Sequence, residues 1–267
     1  MTVVRPGFLR DGAKVRATGT AFGGASDGPV DWILAEEAPV ALVFNQRPFG
    51  VMLASPADLE DFGLGFSVAE RIIARPHEME DLAVSDGERG FTIAMRILPE
   101  RAAIVANRRR ALDARAGCEL CGLESLDAFH APLPRVVAPD AQPEALLQAL
   151  KNFTTHQPMR ASNHSVLGAA WCGLDGTILI VREDVGRHSA LDKLIGAMAR
   201  AGDDPHGGFV LMSSRCGYEL VQKAAAFGIG LLGCVSAPTA LALAMARGCG
   251  MGLACSARDG GIVRLNP

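Results

Sequence analysis

Residues 208–257 read GFVLMSSRCGYELVQKAAAFGIGLLGCVSAPTALALAMARGCGMGLACSA. Three short apolar runs, GFVLMSS, GLLGCVS and GMGLACSA, have the length and flanks of buried strands. Between them lie YELVQKAAAF and TALALAMARG, which read as helices of about ten residues. Upstream, SVLGAAWC and TILIVRE are strand candidates, and SALDKLIGAMARA is a helix with Leu191, Leu194, Ile195 and Met198 at helical spacing. Strands alternating with helices predict βαβ units and a largely parallel sheet with helices on both faces. In such α/β folds ligands sit beyond the carboxyl ends of the strands. Those ends carry REDVGRH, SSRCGYE, SAPT and SARDGG.

The N-terminal half is less regular and reads as a smaller α+β part. Residues 1–28, rich in Gly, Ala, Arg and Thr without apolar periodicity, are expected to form a flexible arm. WILAEEAPVALVFNQRPF predicts two strands meeting near Asn45-Gln46. SPADLEDFGLGFSVAERII predicts a helix capped by Ser55, with Pro56 in the first turn and Asp58 three residues past the cap. GFTIAMRIL and the segment from Ala102 to Ala106 are further strand candidates. A charged segment with a Cys-x-x-Cys follows, then APLPRVVAPDAQP, a proline-rich linker. The expected division is an arm over 1–28, an N-terminal α+β part over 29–138 and an α/β domain over 139–267.

Composition narrows the function. The 267 residues carry a net charge of −3, and 21% are charged. A nucleic-acid or membrane-surface protein would show a basic surplus. The uncharged stretch 228–246 is interrupted by Ser236, Pro238 and Thr239, so it reads as strand, turn and helix rather than a membrane span. The cysteines number seven, and the opening MTVVRPGFLRDG has no apolar run. A reduced, cytoplasmic setting is expected rather than a disulfide framework.

Cys118 and Cys121 stand between Gly117 and Gly122, downstream of Arg101, Arg108, Arg109, Arg110 and Arg115. Four readings are open. Structural zinc wants four ligands, but there is no second such pair, and His130 is a single histidine. A thioredoxin-like dithiol wants the pair to open a helix after a strand. The cysteines could be incidental. A sulfur carrier wants an exposed thiolate, small neighbours and positive charge to lower the thiol pKa, with a second thiol to resolve or share the sulfur. Glu119 opposes that effect slightly.

The most informative stretch is VREDVGRHSALDKLIG, residues 181–196. Arg182, Glu183, Asp184, Arg187 and His188 crowd a strand-to-helix connection around Gly186. Such a cluster is either a solvated loop with a helix cap or a grip on a polar ligand. Glu183 and Asp184 suit either a polar ligand or a helix cap. Arg215 and Arg258 lie at later strand ends and suit anionic groups. No GxGxxG or Walker pattern is present. His164 reads equally as a ligand contact or a structural residue. Cys172, Cys234 and Cys249 read as small buried hydrophobes, whereas Cys216 and Cys255 stand at strand ends.

REDVGRHSALDK resembles the signature of the FdhD family, the formate dehydrogenase accessory sulfurtransferases, with Ser189 where that pattern has Asn. The resemblance runs along nearly the whole chain after residue 30 and includes SPADLEDFGLGFSVAERII, GCELCG, YELVQKAA and SAPT. It departs at RASNH, which keeps only His164, at Ser213-Ser214-Arg215, at Cys255-Ser256-Ala257-Arg258 and at Glu119.

The resemblance implies a cytidine deaminase-like fold in a homodimer. It implies a protein that accepts sulfane sulfur from a cysteine desulfurase on a cysteine of the pair. Cys118 matches the persulfide carrier and Cys121 its partner. The sulfur then passes to molybdenum cofactor in its bis-guanine dinucleotide form, a bound substrate, for insertion into formate dehydrogenase. No permanent metal is implied. The implied cofactor segment is Ser256, Ala257, Arg258, Asp259, Gly260 and Gly261, joined by Arg182, Glu183, Asp184, Gly186, Arg187, His188 and Arg215. The alternative is a chaperone that binds this cofactor without transferring sulfur.

Overall fold

The computed structural model describes residues 14–24, 27–106 and 132–266. The chain opens with an antiparallel ribbon of β1 (Lys14–Ala21) and β2 (Gly28–Ala35). The arm expected over residues 1–28 is therefore corrected over 14–21. Thr18 and Thr20 favour extended backbone, and the eight-residue register with β2 satisfies the backbone groups.

A four-stranded sheet follows in the order β4-β3-β6-β5, built from β3 (Ala38–Phe44), β4 (Arg47–Ala54), β5 (Met79–Gly87) and β6 (Gly90–Ile97). β3 and β4 meet at Asn45 and Gln46, as expected, with φ of 46° and 64°. Two left-handed residues make the turn whose twist suits a hairpin. The Asn45 amide then bridges to Ile97, donating to its carbonyl at 3.1 Å and accepting from its N–H at 2.9 Å. β5 was not anticipated: MEDLAVSDG is half charged or polar because it is an edge strand. Residues 102–106, expected as strand, are helical.

α1 (Leu59–Ala69) covers this sheet. Its cap position is Asp58, without a side-chain hydrogen bond, so Ser55 does not cap it. Ser55 instead reaches the other half of the molecule, as described below.

The C-terminal half begins with residues 132–142 in extended coil. Val136 donates to the Cys249 carbonyl at 2.9 Å, which ties this segment to the last residue of the final helix, Ala240–Cys249. α2 (Pro143–Phe153) and α3 (Pro158–Asn163) follow, each with proline in its first turn. A six-stranded sheet then runs β12-β11-β10-β9-β7-β8. Its strands are β7 (Leu167–Gly173), β8 (Ile178–Asp184), β9 (Gly208–Met212), β10 (Leu231–Cys234), β11 (Gly252–Ser256) and β12 (Ile262–Asn266). The helices between them are α4 (Arg187–Ala201), α5 (Tyr218–Phe227) and α6 (Ala240–Cys249). The last is capped by Thr239, whose hydroxyl accepts from the Ala242 N–H.

The sheet is mixed rather than simply parallel. β9, β10 and β11 are parallel, but β7 is antiparallel to both β8 and β9, and β12 returns antiparallel beside β11. The four residues between β7 and β8 allow only a hairpin. β12 was not anticipated.

Alternation within the strands sets the layers. Ala170, Cys172, Phe209, Leu211, Leu231 and Ala254 pack with Leu146, Ala149 and Phe153 of α2 on one face. Ala169, Trp171, Val210, Met212, Leu232 and Leu253 face the other way, into a core shared with α4, α5, α6 and the N-terminal half. Helices thus lie on both faces.

The two halves meet where α1 crosses α4. A Cβ on Gly65 would lie 1.7 Å from the Asp192 carbonyl oxygen, and one on Gly196 would lie 1.9 Å from that of Asp61. Only glycine lets the two backbones approach so closely. Lys223 of α5 closes the junction, bonding Asp192 at 2.9 Å and Glu70 at 3.0 Å. Among the described residues, no helix is long and apolar enough to cross a membrane; residues 228–246 form β10, a turn and most of α6, as expected.

Candidate functional site

Because β7 is antiparallel to both neighbours, β8 runs parallel to β9, β10 and β11. Their carboxyl ends therefore share one edge of the sheet. REDVGRH, SSRCGYE, SAPT and SARDGG are gathered there, as the sequence predicted. His164 precedes β7 at the same edge, exposed and left-handed with φ 57°.

The structure separates the expected ligand residues by what already holds them. Arg182 turns toward α1: its Nε donates to Asp61 at 2.8 Å, and its Nη2 lies 2.7 Å from the same carboxylate. Glu183 accepts from the N–H groups of Met159 and Arg160, both at 2.8 Å. It therefore caps α3, the helix before it, rather than presenting itself to a guanine edge. Asp184 is fully buried and accepts from the Ser55 N–H at 2.9 Å and the Gly186 N–H at 2.8 Å. Lys193, also fully buried, pairs with it at 2.7 Å. Desolvation pushes the Asp184 carboxyl up, opposed by Lys193 and these N–H donors. These three side chains shape the site from within the protein.

Arg187 and His188 form a second group, in the first turn of α4 behind Gly186. Both meet one oxygen of Glu219, in the first turn of α5. Arg187 donates to Glu219 Oε1 from Nη2 at 2.7 Å and Nε at 3.1 Å, and His188 Nε2 lies 3.0 Å away. Burial works to raise the Glu219 carboxyl. Bonds from His188, its own backbone N–H and Arg187 outweigh burial and hold it down at about 2. The group is thus a carboxylate at neutral pH. Glu219 was not among the candidates; its only sequence signal is an acid in a helix's first turn directly after a strand end.

Arg215 and Arg258 are exposed at the ends of β9 and β11. Ser256 closes β11, and Ala257 to Gly261 form the turn into β12. Ala257 donates to the Gly261 carbonyl at 2.9 Å, and Asp259 Oδ1 accepts from the Gly261 N–H at 3.1 Å. Asp259 therefore stabilises its own turn, and Arg258 projects from it.

Cys118, Cys121 and His130 lie outside the described residues. Cys172, Cys216, Cys234, Cys249 and Cys255 are all unbridged and buried. Burial pushes the Cys172 and Cys234 thiols up to about 12 and raises those of Cys216, Cys249 and Cys255. Protonated, buried thiols are poor nucleophiles, so the strand-end positions of Cys216 and Cys255 do not make them reactive. Among the described residues, no group of three His, Cys, Asp or Glu side chains is placed to hold a metal ion.

With the geometry in place, comparison with known proteins is decisive. The profile of the FdhD/NarQ family matches residues 35–264. The chain belongs to the FdhD/NarQ family. It is 45% identical over 253 residues to the sulfur carrier protein FdhD of Xanthomonas euvesicatoria pv. vesicatoria, covering 94% of this chain and 89% of that one. It is 44% identical over 243 residues to the sulfur carrier protein FdhD of Bordetella petrii, covering 89% of this chain and 84% of the other. A crystal structure of a candidate formate dehydrogenase accessory protein from Desulfotalea psychrophila has the same fold. The TM-score is 0.71 at 24% identity, over 96% of this chain and 97% of that one. The family match spans both sheets, so the α1–α4 crossing and the strand-end site fall within it.

Proposed function

We propose that this FdhD/NarQ member is a sulfurtransferase that carries sulfane sulfur as a persulfide on Cys118 and delivers it to molybdenum cofactor in its bis-guanine dinucleotide form. The Cys118 thiolate attacks the outer sulfur of a cysteine desulfurase persulfide. An S–S bond forms on Cys118 as the one in the donor breaks, and the donor cysteine leaves as thiolate. The exchange needs no oxidant. Cys121 is the second thiol of the pair. The client is formate dehydrogenase or a related molybdoenzyme, and the setting is cytoplasmic. The layered sheet with helices on both faces supports a cytidine deaminase-like reading of the C-terminal half, and a homodimer follows from the family resemblance.

The observation that supports this reading is the shared edge of β8, β9, β10 and β11, along which Arg187, His188, Arg215 and Arg258 follow successive strand ends in a family member. The guanine dinucleotide brings pyrophosphates, which guanidinium groups bind in pairs. Arg182, Glu183 and Asp184 act indirectly, fixing α3, α1 and the α4 entry around that edge. The raised interior thiols support restricting the sulfur chemistry to Cys118 and Cys121.

Formate dehydrogenase maturation with a Cys118→Ala protein tests the reading. Loss of client activity is expected. Full maturation by Cys118→Ala would favour the cofactor-binding chaperone instead.

A further inference from the structure

We infer that Glu219 is the positioning residue of the ligand end, holding Arg187 and His188 in the orientation in which they meet the anionic groups of a guanine nucleotide. The inference rests on the ligand reading above and adds the device that organises it.

One carboxylate oxygen receives both residues, Arg187 at 2.7 and 3.1 Å and His188 at 3.0 Å. Arg187 offers the edge made by Nε and Nη2 to Glu219. A guanidinium is planar, so the opposite edge, carrying Nη1, faces away from the carboxylate. An ionised carboxylate only accepts, so His188 Nε2 carries the proton on that side. The clamp removes rotamer freedom from the arginine and fixes which imidazole nitrogen is protonated.

Burial follows the same order. The Glu219 side chain is 10% exposed, His188 18% and Arg187 37%. The anchor sits inside and the groups it holds open outward. The first turns of α4 and α5, which leave successive strands of the edge, are joined by this single side chain.

Gly217 makes room for it. A Cβ there would lie 2.3 Å from both Glu219 carboxylate oxygens. The Gly217 backbone, φ −92° and ψ 172°, accepts alanine. Alanine at 217 thus displaces the carboxylate without removing its charge.

The test uses full-length protein and guanosine diphosphate as the probe. Wild type, Glu219→Gln and Gly217→Ala are titrated calorimetrically, and the His188 ring nitrogens are read by 15N NMR at neutral pH. Each variant is expected to bind guanosine diphosphate about 10- to 100-fold more weakly, the loss expected for charge-assisted hydrogen bonds. Melting should stay cooperative in both, and the hydrogen-bonded Nε2–H signature of His188 should be lost in Gly217→Ala, which moves the acceptor away. If Glu219→Gln fails to fold, Gly217→Ala decides. Variants that bind like wild type, within twofold, would overturn the inference. If wild type itself does not bind the probe, the ligand reading falls and the ring signals decide the positioning. Loss of that signature in Gly217→Ala then supports it, and retention overturns it.

Discussion

Lys193 and Asp184 form an ion pair at 2.7 Å with neither side chain exposed to solvent. Both also bind Ser55 of the N-terminal half: Lys193 donates to its carbonyl at 2.9 Å, and Asp184 accepts its N–H at 2.9 Å. The Ser55 hydroxyl returns the contact by accepting from the Val185 N–H at 3.2 Å. Asp184 and Lys193 of the REDVGRHSALDK signature therefore also dock the two halves. Lys193→Ala leaves the Asp184 carboxylate buried without its counter-ion, and such losses cost about 3–5 kcal/mol. Urea unfolding should show a destabilisation of that order. A change below about 1 kcal/mol would contradict the docking role.

The α1–α4 crossing makes a steric prediction. Gly65→Ala places a methyl group inside contact distance of the Asp192 backbone, which cannot swing aside as a side chain would. Overpacking of this kind costs about 1–3 kcal/mol, and more where backbone must move. Gly65→Ala should lower the thermal midpoint by several degrees, whereas Gly24→Ala, which meets nothing within 4 Å, should not.

Glu219 makes a pH prediction. Its folded pKa, about 2, lies below the ordinary value of 4.5. Its contribution to stability is therefore complete above about pH 4.5 and fades as the pH falls toward 2. Wild type should exceed Glu219→Gln by on the order of 2 kcal/mol at pH 7. The gap should narrow at pH 3. Urea melts of both proteins at the two pH values check this, and a gap that widens on acidification would contradict the assignment.

The interior thiols predict selective labelling. Native protein treated with N-ethylmaleimide should keep Cys172, Cys216, Cys234, Cys249 and Cys255 unmodified. All five should react once urea unfolds the chain. Peptide mapping distinguishes the two states, and rapid native labelling of Cys216 or Cys255 would contradict their exclusion from the chemistry.

The parts of this fold that were legible in sequence are those with strong local periodicity. The apolar runs of β9, β10 and β11 and the helices between them lie where expected, because full burial leaves nothing to compete with the pattern. The β7–β8 hairpin was missed as a hairpin: two apolar strands in succession look alike whether parallel or antiparallel, and only the short link between them differs. β1 and β5 were missed because ribbons and edge strands carry polar residues on both faces. At the site, the sequence identified Arg187, His188, Arg215 and Arg258 as residues of one edge, because strand ends in such folds converge. It could not assign partners. Glu183 and Asp184 read as ligand groups or caps, and only the fold shows that they face α3 and Ser55. Glu219 stands 31 residues from His188 in sequence, so nothing local marks it as that residue's partner.

The most direct measurement is intact-protein mass spectrometry after incubation with an active cysteine desulfurase and cysteine, on wild type, Cys118→Ala and Cys121→Ala. Wild type should gain one sulfur atom, and Cys118→Ala should gain none. An unmodified wild-type mass, or an added sulfur that persists in Cys118→Ala, would contradict Cys118 as the carrier.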